Sequence, residues 1–278
     1  MNKKLLSLYS LKFNPFSADV PVEALWVPPA LESFCWRIEQ QSAEGGFALA
    51  MGEPGSGKSA SLRVLRARLG GLREVQVGVL TRPQAGLADF YRELGELFGV
   101  ALHPHNRWAS AKGLREKWHQ HIESSLCRPI LLVDEAQESC LPVLNELRLL
   151  ASAELDSRCI LTVVLAGDRR LGAKLDSPEL LPLAGRIRTR LRTETLSAPQ
   201  LAECLGHVLK LAGNPRLLTA PLVQTLCEHA AGNLRLLMNM GGELLAAACH
   251  QERDTLDEKL YFEVFALDPK PAARRVRA

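Results

Sequence analysis

Gly52-Glu53-Pro54-Gly55-Ser56-Gly57-Lys58-Ser59 satisfies every fixed position of the pattern G-x-x-x-x-G-K-[ST]. The glycines let the backbone curl so that its N–H groups converge on one point, and a helix starting at Lys58 adds its positive dipole end. Lys58 is placed to meet β- and γ-phosphate oxygens, Ser59 offers a hydroxyl to Mg²⁺, and Ala60 completes the first helical turn. Further along, Ile130-Leu131-Leu132-Val133 runs directly into Asp134-Glu135. An aspartate at a strand's C-terminal edge holds Mg²⁺ through its water shell, and the glutamate after it orients and deprotonates an attacking water. The two motifs predict binding of a nucleoside triphosphate and hydrolysis of its terminal phosphate.

These residues need elements to position them. Phe47 to Met51 is an unbroken apolar run that predicts a buried strand, and Ala60 to Leu69 predicts a helix with Leu62, Leu65 and Leu69 on one face. Further strands are expected at 74–80, 129–134, 159–166 and 191–196, with helices at 31–41, 86–98, 110–125 and 141–155. Apolar strands alternating with helices indicate an α/β fold with a parallel sheet covered on both faces. After Pro199 the period is helical throughout. Leu201, Leu205, Val208, Leu209 and Ala212 share one face. Thr219 is expected to cap a second helix carrying Leu222 and Leu226, and Leu234, Leu237, Gly241, Leu244, Leu245 and Ala248 form the stripe of a third. The expected organisation is a Pro-punctuated N-terminal segment (1–28), an α/β core (29–197), a small helical lid (198–268) and a basic tail (269–278) containing Arg274, Arg275 and Arg277.

Composition sets bounds on this reading. The chain has 278 residues, 47% of them hydrophobic and 23% charged, as in ordinary soluble globular proteins. A net charge of +3 is too small to prove a nucleic-acid partner by itself. The N-terminus makes a poor signal peptide and no uncharged stretch suits a membrane span, so no membrane partner and a cytoplasmic location are expected. Seven widely spaced cysteines without C-x-x-C read as reduced thiols in the core. His103, His105, His119 and His121 lack a Cys or carboxylate set at ligand spacing, so no metal beyond nucleotide-bound Mg²⁺ is expected. The absence of N-K-x-D argues against a guanine-specific GTPase, and the absence of L-S-G-G-Q against a transporter cassette. A small-molecule kinase would need neither Glu135 nor an appended helical bundle.

The order of motifs resembles the ExeA/GspA-like branch of AAA+ ATPases, which is related to the transposition regulators TniB, TnsC and phage Mu B. The likeness is carried by Leu11-Lys12-Phe13-Asn14-Pro15-Phe16, the glycine loop, Leu131-Leu132-Val133-Asp134-Glu135-Ala136-Gln137, Leu165-Ala166-Gly167-Asp168, the arginine-rich segment 186–190 and Gly232-Asn233-Leu234-Arg235. It implies a P-loop AAA+ sheet sandwiched by helices and followed by a helical lid, with ATP and Mg²⁺ as cofactors. It further implies that Asn14, Pro15 and Phe16 fold over the adenine and that Arg235 senses phosphate from the lid. A γ-phosphate sensor would stand at the tip of the fourth strand, where this chain has Gly167-Asp168 instead of the usual Asn or Thr. One of Arg186, Arg188 and Arg190 would complete a neighbouring subunit's site, which implies self-assembly into a ring or helical filament.

Three readings of the job remain open. One is a transposition accessory ATPase that binds duplex DNA without sequence preference, selects a target and recruits a DDE-type transposase. The others are an ExeA-like secretion-associated ATPase and a nucleotide switch that never touches DNA. In ExeA the ATPase domain is followed by a membrane span and a periplasmic part, so a chain ending at 278 favours the first reading. Candidate phosphate contacts are Arg82 after the second strand, and Arg107 and Lys112 in the inter-helix stretch. Trp108 and Trp118 are expected to be packing residues.

Overall fold

The computed structural model describes residues 2–102, 106–154 and 157–265. His103, His105 and the arginines of the C-terminal tail lie outside the described residues. In chain order the helices are α1 (Asn2–Leu8), α2 (Pro29–Ser42), α3 (Lys58–Gly70), α4 (Leu87–Phe98), α5 (Arg107–Ser125), α6 (Leu141–Ala151), α7 (Arg169–Leu175), α8 (Leu181–Ala184), α9 (Ala198–Ala212), α10 (Ala220–Ala230), α11 (Leu234–His250) and α12 (Glu258–Phe265). The strands are β1 (Gly46–Gly52), β2 (Val75–Leu80), β3 (Arg128–Val133), β4 (Ser152–Ala153), β5 (Arg158–Cys159), β6 (Thr162–Gly167) and β7 (Ile187–Thr193). The chain divides into two compact units. One spans 27–195, and the other joins the segment up to Trp26 with the segment from Leu196 onward.

In the first unit five strands form a parallel sheet of order β2-β3-β6-β1-β7. The central strands are buried on both faces, which is why they read as continuous apolar runs. Phe90, Tyr91, Leu94 and Phe98 of α4 pack with Leu114, Trp118 and Ile122 of α5 in the core of this unit. Trp118 is 1% exposed and meets Phe98 edge-on at 5.2 Å between ring centroids. Trp108, expected to pack, is instead 73% exposed, because α5 starts at Arg107 and presents its first turn outward. The Asn106 side chain accepts from the Ala109 N–H at 3.0 Å, and this cap sets the earlier start.

Three further boundaries differ from expectation. Helix α6 stops at Ala151, and a small antiparallel pair, β4 with β5, takes up Cys159. The fourth long strand therefore begins at Thr162 instead of 159. The fifth begins at Ile187 instead of 191, since Ile187, Thr189 and Leu191 alternate inward while Arg188, Arg190 and Arg192 point outward. The charged half of that period-two pattern hid the strand.

In the second unit, Ser197 and Gln200 close a capping box at the start of α9, with Pro199 in the first turn. Gly213, at φ +104°, ends that helix in a conformation that side chains rarely adopt. Thr219 does not cap α10 through its side chain; its backbone N–H instead donates to Leu256 O at 3.0 Å. The N-terminal segment packs into this helical core through Leu5, Tyr9, Leu11, Phe16, Val20 and Ala24. Tyr9 Oη donates to Arg253 O at 2.9 Å, and Lys12 N donates to Ala212 O at 2.8 Å. A Cβ on Gly241 would lie 2.3 Å from the Phe16 ring, so this helical glycine makes room for the ring.

All seven cysteines are free. Burial pushes the Cys35 thiol up to about 11 and the Cys204 thiol up to about 12, which makes both inert at neutral pH. Among the described residues, no helix is long and apolar enough to cross a membrane.

Candidate nucleotide site

Phe47 to Met51 pairs with β6 on one side and with β7 on the other, so the loop that leaves β1 emerges from the middle of a rigid frame. Gly55 and Gly57 have φ of +83° and +93°. Those left-handed turns produce the curl inferred from the glycine pattern. Gly52 is required for a different reason, since a Cβ there would lie 1.8 Å from Thr193 Oγ1. Thr193, at the end of β7, lies 2.7 Å from Ser56 Oγ and so braces the loop.

Gly57 precedes α3 with no side-chain cap, so the first N–H groups of this 13-residue helix are left to a ligand. Lys58 is 5% exposed and donates to Gly52 O at 2.8 Å and to Glu53 O at 3.0 Å, which folds its ammonium back over the loop. Glu53, Pro54 and Ser59 are exposed, while Gly55 and Ala60 are half-buried. An uncapped helix start, two left-handed glycines and a lysine held by carbonyl oxygens fit a bound phosphate group, with Ser59 free to offer its hydroxyl to Mg²⁺.

Val133 and Leu49 both pair with Leu165. Asp134 and the glycine loop therefore leave the same edge of the sheet, with only β6 between their strands, a lateral separation of about 10 Å. Ligand sites in open α/β sheets lie outside this carboxyl edge. Asp134 Oδ1 accepts from Glu135 N at 2.9 Å. Glu135 is exposed and holds φ +50°, an uncommon conformation for a residue with a side chain. Its Oε2 accepts from Gln137 Nε2.

Gly167-Asp168, at the tip of β6, carries no free polar tip of the usual sensor kind. The Asp168 carboxylate caps α7 through Arg170 N at 2.8 Å and also pairs with the Arg170 guanidinium at 2.9 Å. Burial pushes its pKa up, but the Arg170 N–H and guanidinium outweigh this and hold it below the usual range. Gln137 stands beside this tip, and sequence reasoning quoted it only as part of a motif.

The arginine segment starts at the other end of the sheet with Arg186, whereas Arg190 pairs with Leu49, about 10 Å of strand from the glycine loop. Ile187 pairs with Phe47 near the start of β1. Arg186 is therefore about 16 Å of strand from the glycine loop of its own chain. Arg188 pairs with Glu44 at 2.9 Å, and Arg190 donates to Ala184 O at 3.4 Å. Arg186 and Arg188 line a cavity of about 580 Å³ together with Arg128, Arg158 and Glu44.

The remaining site candidates are dispersed. Arg82 is exposed beyond β2. Arg107 is ion-paired with Glu146, which also accepts from Tyr91 Oη. The Arg107 side chain is 56% exposed while its guanidinium neutralises a buried carboxylate of its own unit. Lys112 lies 3.7 Å from Glu116 and 5.2 Å above the Trp108 ring. In the helical unit Phe16 is 7% exposed and Pro15 buried, and the Asn14 side chain accepts from Phe16 N at 3.0 Å. Arg235 is exposed on the first turn of α11, which Asn233 caps.

A parallel five-stranded sheet, a phosphate loop after one of its inner strands and an acid pair at the same edge define a P-loop α/β core of the AAA+ fold, followed by a helical region. The family profile described as AAA domain matches residues 41–175. The chain is related to general secretion pathway protein A of Aeromonas hydrophila, with 32% identity over 208 residues. The match covers 73% of this chain and 37% of that protein, so the chain spans little more than a third of its relative's length. Solved structures with the same fold include Cdc6p of Pyrobaculum aerophilum, at a TM-score of 0.71 and 15% identity over 87% of this chain and 67% of that one. The ORC1 protein of Aeropyrum pernix, solved in complex with DNA, gives 0.67 at 18% identity, covering 91% of this chain and 68% of that one. Drosophila ORC bound to DNA gives 0.66 at 18% identity, covering 94% and 65%.

Proposed function

We propose that this protein is an ATP hydrolase that assembles with itself and, in the ATP-bound form, binds duplex DNA without sequence preference. The carrying observation is that the glycine loop and Asp134-Glu135 leave one edge of one sheet, separated by a single strand. In this reading the backbone from Gly52 to Ala60 cradles the phosphates, and Lys58 exchanges its two loop carbonyls for phosphate oxygens. Ser59 and Asp134 hold Mg²⁺, which when bound supplies positive charge to the phosphate oxygens. Glu135 accepts the proton of the attacking water. The phosphate-sensing role proposed for Arg235, and the adenine-recognising role for Asn14, Pro15 and Phe16, rest on the motif likeness.

Within the segment that holds Arg186, Arg188 and Arg190, the position of Arg186 supports a role in trans. An arginine about 16 Å along the strand from its own loop does not serve its own nucleotide, whereas a neighbouring subunit's phosphates suit its planar fork. For DNA, Arg82, Arg107 and Lys112 are the proposed phosphate contacts. Lys112 gives up only an exposed ion pair with Glu116, which costs little. A transposition accessory role with a DDE-type transposase as partner is the particular job proposed, and it rests on the resemblance of the Asn-Pro-Phe and Asp-Glu-Ala-Gln motifs.

The second reading, a secretion-associated ATPase, is favoured by the 32% identity to general secretion pathway protein A. Filter binding on random duplex at several salt concentrations, with ATP, ADP or no nucleotide, separates the two. Retention that requires ATP and falls steeply with salt supports the DNA reading. Equal failure to retain DNA in all three states at low salt removes it and leaves the secretion or switch role.

A further inference from the structure

The hydrolytic glutamate is tethered. Gln137 is 3% exposed, and both ends of its amide are used. Nε2 donates to Glu135 Oε2, and Oε1 accepts from the Asp168 N–H at 3.3 Å. A backbone N–H on one side and a carboxylate on the other fix which way the amide points. The space is shaped to this side chain, since a Cβ on Gly167 would lie 2.6 Å from Gln137 Oε1. The backbone around Gln137 is held as well. Lys174 of α7 donates to Gln137 O, and to Ser139 O at 3.0 Å. Arg170 pairs with Asp168 at 2.9 Å and with Glu138 at 2.9 Å. The turn after β3 is thus clamped to the tip of β6 and the start of α7.

We propose that Gln137 is the positioning residue for ATP hydrolysis: by holding one oxygen of Glu135 against the tip of β6 at Gly167-Asp168, it aims the other oxygen at the attacking water. Glu135 is exposed in a left-handed turn, so without that hydrogen bond its carboxylate samples several rotamers. A base that is misdirected part of the time lowers turnover without weakening substrate binding. The link also gives the β6 tip a means of acting on Glu135, although its own aspartate is committed to Arg170. This inference rests on the reading of Glu135 as the base.

The test is a double-mutant cycle on the full chain. Q137M keeps the volume and removes both hydrogen bonds, whereas Q137E keeps the acceptor facing Asp168 and removes the donor to Glu135. Steady-state hydrolysis, binding of a fluorescent non-hydrolysable ATP analogue, and amide exchange in nucleotide-free protein are measured for the parent, Q137M, Q137E, E135Q and Q137M/E135Q. The expected result for Q137M and Q137E is a loss of about tenfold or more in kcat, with KM and analogue affinity within about twofold. Q137M and Q137M/E135Q, but not Q137E, should also speed exchange of the Asp168 amide. Q137M/E135Q should be no slower than E135Q, because a residue acting only through Glu135 has nothing further to lose.

A kcat within about twofold of the parent in Q137M overturns the proposal. So does a double variant slowed by the full single-variant factor, which marks a general structural defect. If melting curves show that Q137M does not fold, Q137E enters the same cycle in its place. Equal turnover in E135Q and the parent is a different failure, since it removes Glu135 as the base.

Discussion

Arg107 forms an ion pair with Glu146, a carboxylate whose side chain is only 3% exposed. Tyr91 donates to the same carboxylate from the buried side, and burial, with Glu146 second, pushes the tyrosine hydroxyl far above its usual range. The three residues join α4, α5 and α6. Removing the arginine leaves a buried carboxylate with one neutral partner. Arg107→Ala should therefore lose about 1–3 kcal/mol of stability. Denaturant melts check this, and an unchanged midpoint would show that the pair holds nothing together.

Gly241 lies inside α11 at a position where alanine would ordinarily favour the helix by roughly 1 kcal/mol. Here the close approach of Phe16 reverses the sign. Gly241→Ala should destabilise the helical unit by about 1–3 kcal/mol through overpacking. Adding Phe16→Leu should recover part of the loss, and thermal melts of the single and double variants measure it. A stabilised Gly241→Ala would mean that the ring does not sit there.

The trans role of the arginine segment predicts complementation. Whichever of Arg186→Ala, Arg188→Ala and Arg190→Ala removes the acting residue should bind nucleotide normally and hydrolyse it poorly. Mixing that variant with Lys58→Ala should restore part of the turnover, since each supplies the half-site the other lacks. If none of the three arginine variants is rescued while co-assembly is intact, the shared-site reading fails.

For DNA, Arg82→Ala and Lys112→Ala should weaken retention alike on all sequences and flatten its salt dependence. Competition between random and fixed-sequence duplexes checks both points. A loss confined to one sequence would mean base reading instead of phosphate contact.

The parts of the fold that came from unbroken apolar runs and from the glycine loop were legible in the sequence. Burial on both faces leaves β1 and β6 without a charged residue, and β3 with only Arg128 at its first position. The strand carrying Arg188, Arg190 and Arg192 begins four residues before its apolar signal at Leu191, because its outward half is wholly charged. Helix α12 went unread, and nothing in the local pattern announced that Phe16 and Tyr9 pack into the helices after Leu196. At the site, the loop and acid pair were legible because chemistry restricts those residue types. Gln137 and Thr193 were not, since their roles depend on strand register: β6 lies beside β3, and the end of β7 beside the loop.

In the proposed reaction Glu135 activates water at a nucleotide held by the glycine loop. Hydrolysis of saturating ATP with Mg²⁺ by the parent and by Glu135→Gln, alongside binding of a fluorescent ATP analogue, tests it most directly. Glu135→Gln is expected to bind the analogue within about twofold of the parent and to turn over ATP slower by about a hundredfold or more. Equal turnover in the two proteins, with binding intact, would contradict it.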